Sequence, residues 1–243
     1  MQQQTKLDIF KDIPFNEIYY NVPTAWGGAC GSEIPRPQPS DFINDYFKDK
    51  LNGFFVDVGA SDGIIWNNSL NLEINNKWSG ICIEPHPDIF KQLTGNTKGI
   101  QRTAECLNVA ISTEEKLCDF QMFSGEWDSH MLSGIIDKYD SRQKDRNDFK
   151  HNSHNSKIIK VQCLPLQKIF NERNITHVDY LSIDTEGSEL EVLQSINFNK
   201  TSFELISVEI NYEAEEINSF LLANGYTTFK EKVCCDQFYI RKS

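Results

Sequence analysis

No run of about 18 apolar residues, the length of a membrane-spanning helix, occurs in the chain, so membrane insertion is not expected. Basic charge is also short. There are 24 Lys and Arg against 35 Asp and Glu, a net charge of −11 with a pI near 4.9. That balance argues against broad electrostatic capture of nucleic acid or of an anionic membrane, while leaving room for a small basic pocket. The opening residues, MQQQTKLDIFKDIPF, lack the basic region and apolar core of a secretory signal. Cysteine pairs at metal-ligand spacing are missing. The seven cysteines are scattered, and Cys234 and Cys235 have neither a CxxC partner nor a nearby His, so no zinc site is expected. Cys82, Cys106, Cys118 and Cys163 lie in apolar, strand-like runs and read as buried reduced thiols, in a reducing, cytoplasmic compartment. There is no internal repeat.

What is present is enough for one large domain. The chain has 243 residues, 39% of them apolar, with 16 Phe and 8 Tyr to build a core. Short apolar runs rich in β-branched and aromatic residues read as strands: GFFVDVG, WSGICIEP, CLNVAIS, KIIKVQCL, VDYLSIDT and FELISVEI. Between them lie helical patterns. Pro165 suits a first helical position ahead of Leu166, Ile169 and Phe170. Ser188 and Glu191 form a possible capping box, and Ile217, Phe220 and Leu221 make a stripe that Gly225 stops. Strands alternating with helices predict an α/β fold with a mostly parallel, doubly wound sheet. YTTFKEKV and DQFYIRK, with no helix between them, predict an antiparallel hairpin at the sheet edge. Residues 1–40 are expected to form an N-terminal extension or lid, and 41–243 the main domain. Within it, 137–157 is nearly devoid of apolar side chains and reads as a solvated loop.

Open parallel sheets bind ligands beyond the carboxyl ends of their strands, which is where FFVDVGASDG falls. Gly59 and Gly63 let the backbone turn tightly and approach a ligand, with Ala60 between them and Asp57 at the strand end. The spacing is GxxxG rather than the GxGxxG that seats a pyrophosphate, and a turn holding Asp57 and Asp62 repels phosphate. It suits a cationic, phosphate-free nucleoside such as a sulfonium cofactor. Glu84 ends the second strand and Pro85 stops it. An acid there grips ribose hydroxyls in doubly wound folds, although a solvated strand-end acid has the same sequence.

FVDVGASDG, IEPHP, NVAIS and above all YLSIDTEGSELEVLQSI followed by ISVEIN resemble the FkbM-type family of class I methyltransferases, over about residues 53–241. The resemblance implies a Rossmann-like seven-stranded sheet, S-adenosyl-L-methionine as donor, and a hydroxyl oxygen of a small molecule or glycan as acceptor. It places Asp57, Gly59, Ala60 and Gly63 in the cofactor loop and Glu84, beside Pro85, on the ribose. Asn108 falls near the adenine.

In IDTEGSE, Asp184 and Glu186 follow a strand and are the candidate catalytic carboxylates, poised to align or deprotonate a hydroxyl. Glu186 has an equal claim as a structural acid, and Glu189 and Glu191 suit the helix dipole and cap. Asp184, Glu209 and Asn211 could together hold a divalent metal such as Mg, a reading not favoured here. Trp26 is either a flap over the cofactor or a staple for the extension. His130 is a weaker candidate base, His86 reads as structural, and His151 and His154 belong to the polar loop. Two rival functions share the fold: a non-catalytic binding module and a nicotinamide-dependent oxidoreductase, the latter disfavoured by the missing GxGxxG.

Overall fold

Every second residue of Phe54–Val58 (β1) points to the same face of a sheet, and both faces are covered. In β1, Val56 and Val58 join one apolar cluster and Phe55 the other. The same division runs through Ser79–Ile83 (β2), His177–Ile183 (β8) and Ser202–Glu209 (β9). These observations come from a computed structural model that describes residues 39–64, 67–95, 101–124, 129–139, 155–210, 213–233 and 235–242. Trp26, His151, His154, Asn211, most of the polar loop and the side chain of His130 lie outside the described residues.

The large sheet has seven strands in the order β10-β11-β9-β8-β1-β2-β3, where β3 is Glu105–Leu107, β10 Tyr226–Val233 and β11 Asp236–Arg241. It is mixed. Neighbours from β3 through β9 run parallel, whereas β11 is antiparallel to both β9 and β10. The expected hairpin therefore exists, but its second strand lies inward. Phe238 and Tyr239 of β11 are buried on opposite faces, while Thr228, Phe229 and Lys232 are exposed on β10, the edge strand.

One face packs helices Leu166–Glu172 (α4), Glu189–Gln194 (α5) and Ala214–Ala223 (α6), through Phe170, Val192, Leu193, Ile217 and Leu221. The other packs Pro39–Tyr46 (α1), Leu70–Asn76 (α2) and Pro87–Thr94 (α3), with Ile43, Phe47, Leu72 and Leu93 against Phe55, Trp78 and Tyr180. No described helix is long and apolar enough to cross a membrane.

A second, four-stranded sheet was not expected. It runs β4-β7-β5-β6, from Ala110–Ile111 (β4), Lys116–Ser124 (β5), Gly134–Ile135 (β6) and Asn155–Leu164 (β7). CLNVAIS is thus split between β3 and β4, and KIIKVQCL pairs with β5 rather than joining the large sheet. The end of the predicted solvated loop is also strand, since Asn155, Ser156 and Lys157 pair with Ser124, Phe123 and Met122. Cys118 and Cys163 sit diagonally on one face of β5 and β7 and are joined as a disulfide, which corrects the reading of both as reduced thiols. Cys82 and Cys106 are free and face one another across β2 and β3.

Candidate functional site

The carboxyl ends of β1, β2 and β8 converge on a cleft that is open to solvent and walled on its far side by the second sheet. Its floor is the turn after β1. Gly59 has φ +88°, and a Cβ there would lie 1.7 Å from the Asp184 carbonyl oxygen, so only glycine lets the ends of β1 and β8 come together. The Asp184 N–H donates to the Val58 carbonyl at 2.9 Å, and Gly59 N–H donates to that of Ile83 at 3.0 Å, lacing the three strand ends to one another.

Glu84 is 7% exposed and lines this cleft with Pro85. Its Oε2 accepts from the Ser61 N–H at 2.9 Å and its Oε1 from the His86 N–H at 2.7 Å. The carboxyl group is therefore aimed by backbone on both sides. Burial pushes its pKa up to about 7 against those two hydrogen bonds, which favour the ionised form. Around it Ile83, Ile89, Val109 and Ala110 supply an apolar wall, with Phe120 and Ile135 facing them from the second sheet.

The remaining residues of the glycine motif stand behind the floor. Asp57 does not line the cleft. It accepts from Ser69 Oγ at 2.6 Å and Asn67 Nδ2 at 2.8 Å, and burial raises its pKa. Ala60 is packed in the core, and a Cβ on Gly63 would meet Leu93 and Arg102. Asn108 is exposed beside the cleft, its Nδ2 donating to the carbonyls of Glu84 and Pro85 at 2.8 and 3.1 Å. What sequence reading missed is Arg102. Its buried guanidinium donates to Glu73 Oε2, the Gly63 carbonyl, Asn67 Oδ1 and Ser69 Oγ at 2.8–3.1 Å. No motif marks it, because it lies 29 to 39 positions along the chain from the groups it ties together.

Opposite Glu84, the segment after β8 brings Asp184 and Glu186 to the cleft beside Glu209 from the end of β9. The three carboxylates offer oxygens within 4.8 Å of one another. Asp184 is held well above the usual carboxylate range, first by burial and next by the charge and hydrogen bond of Glu209. Three clustered oxygens are also the donors a hard cation takes, with Glu186 rather than the undescribed Asn211 as third member. Glu186 stands at φ +58°, in the left-handed region. The predicted capping box at Ser188 does not form. Glu189 is buried and its Oε1 accepts from Thr185 N–H, Thr185 Oγ1 and Gly187 N–H at 3.1, 3.2 and 2.9 Å, knitting the turn. Glu191 instead accepts from Ser112 Oγ and pairs with Lys138.

The family model described as the methyltransferase FkbM domain matches residues 57–228. Among solved structures, the chain resembles the methyltransferase FkbM of Methylobacillus flagellatus KT at 14% identity and a TM-score of 0.48. That match covers 86% of this chain and 48% of the other, so the chain spans about half the length of that protein. It also resembles the precorrin-6y C5,15-methyltransferase of Geobacter metallireducens GS-15, at 10% identity and a TM-score of 0.45, covering 84% and 87% of the two chains. The N-terminal domain of human METTL16 is similar at 12% identity and a TM-score of 0.41, covering 83% and 67%. A search of curated proteins found no match.

Proposed function

The chain belongs to the FkbM family of methyltransferases, and from that premise we propose that it uses S-adenosyl-L-methionine to methylate a hydroxyl oxygen of a small molecule or glycan. The observation that carries the reading is Glu84, a buried carboxylate aimed into the cleft by two backbone N–H groups. Each of its oxygens keeps a lone pair for a ribose hydroxyl. The apolar wall of Ile83, Val109 and Ala110 suits a flat base, and the acidic far side suits a positive centre without phosphates.

S-adenosyl-L-methionine supplies a methyl group already activated on a sulfonium sulfur. The protein's share is then positioning, which recovers roughly 7–11 kcal/mol for well-oriented partners, and management of one proton. As a C–O bond forms, the hydroxyl proton must leave. Asp184, Glu186 and Glu209 offer carboxylate oxygens within 4.8 Å of one another on the cleft rim, and this cluster accepts that proton. Glu186, on the same rim, orients the acceptor hydroxyl. No step requires a metal, although Asp184, Glu186 and Glu209 would be its ligands.

Calorimetric titration with S-adenosylhomocysteine, beside NAD and with Glu84→Ala, tests the reading. Micromolar binding of S-adenosylhomocysteine alone, lost in the variant, is the expected result. Binding of NAD instead, or affinity unchanged in Glu84→Ala, would overturn it.

A further inference from the structure

His86 follows the cofactor acid by two residues and is 2% exposed. Its backbone N–H aims Glu84, and its ring makes two further attachments. Nδ1 accepts from the N–H groups of Asp88 and Ile89 at 3.3 and 3.4 Å, capping α3. An accepting Nδ1 puts the ring hydrogen on Nε2, and Nε2 lies 3.0 Å from the Phe123 carbonyl of β5, to which it donates. The ring also stands edge-on to Phe120, with centroids 6.4 Å apart.

Phe120 lines the cleft from the second sheet, together with Ser133, Gly134 and Ile135. The Phe123 N–H, on the same residue that receives the imidazole, donates to Ser133 Oγ at 3.0 Å. A chain of contacts thus runs from the tip of β2 through one imidazole to the wall facing it. We propose that His86 is a positioning residue that docks the second sheet against the large one and so sets the width of the cofactor cleft. Burial keeps the ring neutral, pushing its pKa down, as the one-donor, one-acceptor arrangement demands. The effect on cofactor affinity rests on the methyltransferase reading; the docking of the sheet does not.

The two ring nitrogens can be replaced separately, because an Asn side chain reproduces the reach of Nδ1 and a Gln side chain that of Nε2. His86→Asn keeps the helix cap and loses the bond to Phe123, whereas His86→Gln keeps the bond and loses the cap. Amide hydrogen exchange of residues 116–124 and 131–135 in the full chain, without ligand, reads the docking. S-adenosylhomocysteine titration reads its consequence. In His86→Asn, exchange in these segments is expected to accelerate by about tenfold, and affinity to fall about threefold to tenfold, the worth of one neutral hydrogen bond. His86→Gln should stay close to the wild type in both. If the two variants behave alike, or if exchange in His86→Asn is unchanged, His86 only caps α3 and the proposal is overturned. Should His86→Asn fail to fold, ¹⁵N spectra of the wild-type ring decide, since a hydrogen on Nδ1 would exclude the bond to Phe123. A wild type that binds no S-adenosylhomocysteine would sink the methyltransferase reading, while the exchange comparison would still judge the docking.

Discussion

Asp184 is half-buried beside Glu209, and burial together with that neighbouring carboxylate holds it well above the usual carboxylate range. A lone strand-end Asp would ionise at neutral pH and stand ready as a base. Here a second carboxylate stands within 4.8 Å, so substitution at either position changes the charge felt at the other. Asp184→Asn is expected to leave S-adenosylhomocysteine affinity nearly intact while slowing methyl transfer on the order of 10²–10⁴-fold. Transfer of a labelled methyl group to a panel of glycans, beside calorimetry, measures the two effects separately. A variant that loses cofactor affinity but transfers at the normal rate when saturated would make Asp184 a binding residue. Glu209 owes its place to the parallel pairing of β8 with β9, which sets Ile183 beside Val208 and brings both strand ends to one rim.

At the scale of elements, the turn after β1 is held from behind. Arg102, at 1% side-chain exposure, donates to Glu73, Gly63, Asn67 and Ser69, and Asn67 and Ser69 in turn hold Asp57. The motif residues Asp57 and Gly63 are tied into this network and do not line the cleft. Taking away the guanidinium leaves Glu73 buried without its counter-charge and strips Asp57 of nearby positive charge. Arg102→Ala is predicted to cost about 3–5 kcal/mol, the range for breaking one side of a buried ion pair. Urea unfolding followed by far-UV circular dichroism gives the number. A loss below about 1 kcal/mol, typical of an exposed pair, would show that the network contributes little.

Over the whole molecule, buried carboxyl groups gather near the carboxyl ends of the sheet. Burial raises Glu84 and Glu189 to about 7 from 4.5 and Asp236 to about 8 from 3.8. For each, the folded chain holds a proton that the unfolded chain has already released. Stability is therefore greatest near the unfolded values and declines as pH climbs through the folded ones. Asp179, Glu105 and Glu191 shift the other way, chiefly through Lys50, Arg173 and Lys138, and their contribution is lost in acid below the ordinary carboxylate range. Together these fix an acidic optimum. Between about pH 5 and pH 8 the unliganded protein should lose roughly 5–10 °C in Tm, a few kcal/mol for a chain of this size. Differential scanning fluorimetry across that range checks it, and a Tm that is flat or rises toward pH 8 would contradict the burial argument.

The sequence by itself determined the parallel core strands, the ligand edge and the acids that could stand there. Each rests on short-range rules: period-two apolar runs, glycines in the turn that follows a strand, and Pro85 closing a strand. Tertiary structure alone decided which of those acids meet. Gly59, Glu84, Asp184 and Glu186 line one cleft, Asp57 and Gly63 lie behind it, and Glu209 enters through strand order. It alone also set β11 inside β10, recruited Arg102 and His86, and paired β4, β5, β6 and β7 as a second sheet. Those outcomes depend on contacts between residues far apart in the chain, such as Phe123 with His86 and Gly59 with Asp184. Local periodicity carries no record of such pairs, because the free energy that selects them comes from burial and hydrogen bonding after the chain has closed on itself.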